Sequence, residues 1–207
     1  MNDADFKSAA TLASMWNVPF TIHYLETPEE SAEWAASCHA SVAEFLEQVR
    51  PLPAVSLAHV NYPSSEDLSR IATNGVTVIW CPRAHSFYGH RNHPWRDMVA
   101  RGINVALGTD SAGCVPTLSI LDEIREARRL SPTVAASELL EMSTLNGAKA
   151  LGLGDRLGAL EAGRLADFAV FRLHDSSEPV VNRLLLPETK IVKTIIGGEV
   201  VFEDRVD

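Results

Sequence analysis

Ile103-Asn104-Val105-Ala106-Leu107-Gly108-Thr109-Asp110-Ser111 reads as a short buried strand that stops at a Gly-Thr-Asp turn. A strand apolar on nearly every side belongs to a parallel sheet covered by helices, because only there are both faces out of water. A carboxylate just past the carboxyl end of such a strand, here Asp110, stands where α/β barrels and doubly wound sheets hold their chemistry. Two other apolar runs end in the same way. Val18-Pro19-Phe20-Thr21-Ile22 delivers His23 and, three residues on, Glu26; Ala54-Val55-Ser56-Leu57-Ala58 delivers His59. Two imidazoles and two carboxylates at the ends of separate strands form a donor set suited to a divalent metal and the water it activates.

Outward from these strands the chain alternates strand and helix. A helix over Asp5 to Trp16 precedes the first strand. Thr27-Pro28-Glu29-Glu30 opens the second helix, with Thr27 as cap, Pro28 in the first turn and Glu30 completing a capping box. That helix is predicted to reach about Arg50, where Pro51 and Pro53 stop it. Ser64-Ser65-Glu66-Asp67 starts a third helix that ends at Asn74-Gly75. Val76 to Trp80 is the next strand, and Arg83 to His93 reads as a long polar loop. A helix from Pro94 to Arg101, the Ile103 strand and a helix from about Leu118 to Leu130 follow. Four strand–helix units fill this stretch, whereas a closed (β/α)8 barrel needs eight in roughly 250 residues. On count the chain is half a barrel or a complete small doubly wound sheet.

After Ser131 the pattern changes. Helices over Ser131 to Met142 and Asn146 to Leu151 give way to strands over Gly158 to Phe171 and Lys190 to Phe202, the latter folded at Gly197-Gly198. The expected division is an α/β unit over 1–155 and a β appendage over 156–207.

Composition narrows the function. Apolar residues make up 46% and charged residues 22% of the chain, an ordinary globular balance. The net charge of −9 argues against a nucleic-acid or anionic-membrane surface. No run approaches the roughly 20 apolar residues of a bilayer span, and the acidic Met1-Asn2-Asp3-Ala4-Asp5 is unlike a signal peptide. Cys38, Cys81 and Cys114 are odd in number and widely spaced, so a cytoplasmic setting is expected.

Six motifs then appear in order: His-Tyr-Leu-Glu-Thr (23–27), Leu-Ala-His (57–59), Cys-Pro-Arg-Ala-His (81–85), Gly-Thr-Asp-Ser (108–111), Met-Ser-Thr-Leu-Asn-Gly-Ala-Lys-Ala-Leu-Gly (142–152) and Gly-Ala-Leu-Glu-Ala-Gly-Arg-Leu-Ala-Asp-Phe (158–168). The series resembles the second half of the amidohydrolase superfamily, in its cytosine-deaminase, S-adenosylhomocysteine-deaminase and triazine-hydrolase branch. The resemblance implies the C-terminal half of a (β/α)8 barrel, strands five to eight, with part of the small β-sandwich domain. It implies His23 as a metal ligand, Glu26 as a proton shuttle, and His59 as a ligand or as a hydrogen-bonding partner of water or substrate. Asp110 becomes a ligand that also takes a proton from the nucleophilic water. The implied cofactor is one divalent ion, zinc or iron, per complete site, and the implied substrate a nitrogen heterocycle such as a nucleobase, nucleoside or triazine.

The sequence departs from the family in having no His-x-His pair, which supplies two further ligands, and no fourth-strand lysine. Family members also usually carry Asn where His85 stands, so Arg83, His85 and His90 are candidate substrate-binding residues. For His85, His90 and His93 a solvated polar loop is the competing reading. His39 reads as a surface residue of the second helix, His174 as part of a turn, and Cys81 and Cys114 as packing thiols. Three functions stay open: a metal-dependent deaminase or related hydrolase of C–N bonds, a catalytically incomplete fragment or subunit, and a cyclic amidase. A four-strand sheet is also expected to leave two edges and an apolar inner face open, and so to pair with its own copy or with a complementing N-terminal half.

Overall fold

The structure, a computed structural model, describes residues 3–37 and 52–204. Its elements run α1 (Asp3–Trp16), β1 (Phe20–Tyr24), α2 (Pro28–Ser37), β2 (Val55–His59), α3 (Ser65–Thr73), β3 (Thr77–Trp80), α4 (Pro82–Phe87), α5 (Trp95–Ala100) and β4 (Val105–Leu107). They continue through α6 (Ile120–Leu130), α7 (Ala136–Ser143), α8 (Leu145–Ala150), β5 (Phe168–Arg172), α9 (Val180–Arg183), β6 (Lys190–Ile196) and β7 (Glu199–Glu203). The part of the second helix expected beyond Ser37, with Cys38 and His39, lies outside the described residues.

β1 to β4 form one parallel sheet in the order β1-β2-β3-β4. Its strands are joined by helices because parallel neighbours need a crossover. Side chains alternate across the sheet. One face carries Tyr24, Leu57, Val78, Trp80, Val105 and Leu107 into a core completed by Leu68, Ile71, Met98, Ile124, Leu139 and Met142 from the helices. Each such burial contributes about 1.5–3 kcal/mol, which makes this layer the main source of stability.

The other face differs from the apolar lining expected of a barrel interior. The register aligns Thr21, Ser56 and Thr77 in one row and His23, Ala58, Ile79 and Ala106 in the next. Thr21 and Ser56 share a hydroxyl hydrogen bond of 2.8 Å, and Thr77 Oγ1 accepts from Asn104 Nδ2 at 3.0 Å. The same Asn104 amide reaches the Asn146 carbonyl, while Asn146 Nδ2 donates to the Val105 carbonyl at 3.0 Å. These bonds tie α8 to the β4 strand. Hydroxylated residues thus occupy one row of the inner face, while Ala58, Ile79 and Ala106 keep the next row largely apolar.

Local signals account for the helix starts. The Thr27 hydroxyl accepts the Glu30 N–H at 3.1 Å, while the Glu30 carboxylate accepts the Glu26 N–H at 2.7 Å rather than that of the cap. Ser64 and Asp67 form a full capping box on α3. The expected polar loop over Arg83 to His93 instead begins with the helix α4. Pro82 suits its first position, and its next N–H, from Arg83, donates to Glu123 Oε2 at 2.9 Å. That cap comes from α6 and leaves no local sequence signal.

β5, β6 and β7 make a separate antiparallel sheet, and the β6–β7 turn falls at Gly197-Gly198 as expected. Both glycines have positive φ, +59° and +84°, the backbone a two-residue hairpin turn requires. The strand expected from Gly158 starts only at Phe168. Upstream, Arg164 donates to the carbonyls of Gly154 and Leu157, and the chain is held as a turn. No helix among the described residues is long and apolar enough to cross a membrane.

Candidate functional site

Four side chains meet at the carboxyl edge of the parallel sheet. His23 is the fourth residue of β1 and Glu26 lies in the turn behind it; His59 ends β2; Asp110 follows β4. In-register parallel pairing places these ends side by side, which is why residues distant in sequence converge. One oxygen of Glu26, Oε2, stands 4.0 Å from His23 Nδ1 and 3.9 Å from His59 Nε2. His59 Nε2 also stands 3.9 Å from Asp110 Oδ2. The His23 and His59 rings are edge-on, with centroids 4.8 Å apart. The other Asp110 oxygen, Oδ1, accepts the Ser111 N–H at 2.7 Å, which leaves Oδ2 free to face His59.

His59 is buried, and its Nε2 has no hydrogen-bond partner among the described residues. Burial lowers its pKa, opposed by the charge of Glu26. A neutral imidazole is the form that ligates a metal. Donor atoms about 2 Å from a shared tetrahedral ion lie roughly 3.3 Å from one another. The observed separations near 4 Å are too long for direct hydrogen bonds and wider than that spacing, so a shared ion would draw the groups inward. His23, Glu26 and His59 offer ligand atoms within 4.8 Å of one another, so the residues fit a divalent cation. Glu26, expected as a proton shuttle, thus shares the group with the two imidazoles, and Asp110 borders it through His59.

The other predicted residues occupy different places. His85 is buried, with Nδ1 3.2 Å from Asn61 Oδ1, and burial holds its pKa down to about 4. His90 Nδ1 lies 3.2 Å from the Tyr62 hydroxyl. His85, His90 and His93 border a cavity of about 350 Å³ together with Trp80 and Trp95. The Arg83 guanidinium turns to Thr117, whose carbonyl accepts from Nη1 at 2.8 Å, and it is not brought into the four-residue group. His93 is buried rather than part of a solvated loop.

Three contributors were missed in the sequence. Asn61, two residues past His59, joins two loops behind the site. Trp80 stacks on His93 and Trp95. Glu123, wholly buried, caps α4. A polar residue two positions past a strand-end His was a usable signal for Asn61; nothing local marked Glu123.

A sequence profile of the amidohydrolase family matches residues 1–201. A 5-methylthioadenosine/S-adenosylhomocysteine deaminase of Pyrococcus furiosus is 35% identical over 91% of this chain and 46% of its own length. An S-triazine hydrolase of Gordonia rubripertincta is 27% identical over 100% of this chain and 45% of its own. Among solved structures, an adenosine deaminase from Xanthomonas campestris with bound zinc superposes with a TM-score of 0.85 at 25% identity, over 100% of this chain and 51% of that one. The chain spans about half the length of the curated relatives it matches.

Proposed function

Since the chain belongs to the amidohydrolase family, we propose that it forms strands five to eight of a (β/α)8 barrel, with 1–155 in the barrel and 156–207 in a small β domain. The complete protein, on this reading, is a metal-dependent hydrolase that removes an amino group from a nitrogen heterocycle. One observation carries it: the buried, partnerless His59 Nε2 stands between the carboxylates of Glu26 and Asp110.

His23, His59 and the Glu26–Asp110 carboxylates would hold the ion, zinc or iron. A bound divalent ion supplies the Lewis acidity that makes water a nucleophile near neutral pH. The chain's own groups handle the protons. Asp110 Oδ2 accepts one from the attacking water, and Glu26, reachable by solvent, passes one to the leaving nitrogen. His59 steadies charge that develops between them. The deaminase relatives favour an aminated purine nucleoside as substrate, and the triazine hydrolase favours a triazine.

A second reading has a specific support. The His23 ring is 64% exposed, so the group is open on that side, as in a chain that supplies only part of a site. A cyclic amidase shares the same donor set and differs in the ring attacked. The buried free thiols of Cys81 and Cys114 go with a reducing, cytoplasmic setting.

The test is ammonia release from 5′-methylthioadenosine, with zinc supplied, by this chain combined with a complementing half that carries His-x-His. Turnover that falls about 10²–10⁴-fold in Glu26→Gln supports the reading. Turnover unchanged by that substitution removes Glu26 from the chemistry, and no turnover on any aminated heterocycle contradicts the deaminase.

A further inference from the structure

We propose that the histidine-rich stretch behind the site is a clamp that sets the spacing between Glu26 and His59, with His93 fixing the His59 peptide and His85, through Asn61, fixing the Glu26 peptide. It rests on the reading of Glu26 and His59 as site residues and assigns positioning roles to His85, His93 and Asn61.

His93 Nε2 lies 2.7 Å from the His59 carbonyl oxygen. A carbonyl only accepts, so Nε2 carries the proton. The buried Nδ1 has no partner among the described residues, and a second proton there would be an unpaired buried charge. The ring is held from the side as well. It stacks on Trp80 with centroids 5.2 Å apart and planes 16° apart, and Trp80 stacks in turn on Trp95.

The peptide that His93 grips needs holding. His59 and Val60 have φ of +72° and +51°, left-handed backbone that L-residues with a Cβ adopt only under strain. That bend turns the chain across the end of β1, where the Val60 N–H reaches the Tyr24 carbonyl and the Asn61 N–H the Leu25 carbonyl. Leu25 is itself at φ +52°. Three strained residues in two touching loops keep their conformation only where surrounding bonds fix them.

Asn61 closes the second arm. Its Nδ2 donates to the Glu26 carbonyl at 3.0 Å, which orients the amide and turns Oδ1 to His85 Nδ1, 3.2 Å away. That oxygen is placed to accept from His85 Nδ1, in competition with the Arg91 backbone, which also engages the ring. Both side chains are buried. His85 rides on α4, whose start is anchored to α6 by the Glu123 carboxylate. Each ring thus spends one N–H on the frame of the site.

Nitrogen-15 NMR of the histidine-labelled full chain tests the clamp, together with a Co²⁺ titration. The expected tautomers are Nε2–H at His93 and Nδ1–H at His85, the latter lost in Asn61→Ala. His93→Phe keeps the aromatic stack and removes the donor, and it should weaken Co²⁺ binding at least about tenfold. His93→Gln retains an N–H near the same place and should stay within about threefold of the parent. An Nε2–H tautomer at His85 in the parent chain overturns the clamp, as does Co²⁺ affinity unaltered in His93→Phe. If the parent takes up no Co²⁺, the metal reading fails by itself. The tautomers then decide the clamp: the expected pair supports it and any other pair overturns it.

Discussion

His59 Nε2 stands 3.9 Å from Asp110 Oδ2 although β3 lies between the strands that carry them. The side chains meet past the end of β3, which closes on Trp80 before α4 begins at Pro82. The same edge carries Glu26 on the opposite side of His59, so one buried imidazole faces two carboxylates. This arrangement gives both the candidate chemistry and the measurements that test it.

Glu123 should give the protein a measurable pH dependence. Burial raises its carboxyl pKa from 4.5 to about 7, opposed by the Arg83 N–H and guanidinium. The folded chain then holds this proton more tightly than the unfolded chain does. Its contribution to stability is full below the unfolded pKa and is lost as pH rises through about 7. At about 1.4 kcal/mol per unit the loss amounts to roughly 3 kcal/mol. Urea unfolding followed from about pH 5 to about pH 8 should show this decline in the parent and a flatter profile in Glu123→Gln. An equal slope in the variant assigns the dependence to other groups.

Gly158 should be intolerant of a side chain. It has φ +86°, and a Cβ there would meet Leu145 Cα at 2.6 Å and the Thr144 carbonyl oxygen at 2.9 Å. Both are backbone of the α7–α8 junction and cannot rotate away. Gly158→Ala should destabilise by about 2–4 kcal/mol, combining overpacking with left-handed strain. A thermal midpoint unchanged in the variant would show that the junction is looser than its contacts imply.

Much of this was legible in the sequence. The parallel sheet follows from apolar runs that end in His59 and Asp110, and the turn at Gly197-Gly198 follows from its residue pair. Convergence of His23, Glu26, His59 and Asp110 was readable too, since parallel strands in register can only bring their carboxyl ends together. What escaped was non-local. α4 was hidden because its cap, Glu123, comes from another helix. The packing of His85 and His93 gave no local signal because their partners, Asn61 and the His59 carbonyl, come from a strand end and the turn beyond it. The hydroxyl row of the inner face was not legible, because nothing in a strand's own sequence shows α8 approaching it through Asn104 and Asn146.

Association should depend on the open sheet. β1 and β4 are edge strands of the four-stranded sheet, and an unpaired edge invites pairing with another chain. Met15, Trp16 and Val18, just before β1, add exposed apolar surface. Light scattering at low micromolar concentration should give a mass of two chains or more, or a one-to-one complex when a complementing half is supplied. A well-dispersed species at the single-chain mass of 22.6 kDa contradicts this.

Zinc titration of the metal-free chain, followed by calorimetry, tests the central claim most directly. His23 is the residue to remove, because its exposed ring contributes little to packing and His23→Ala should leave the fold intact. Weak binding of at most about one zinc per chain is predicted, with affinity lowered at least about tenfold in His23→Ala and also in Asp110→Asn. Zinc bound equally well by the parent and both variants, or not bound by the parent at all, would contradict the assignment of this group as a metal centre.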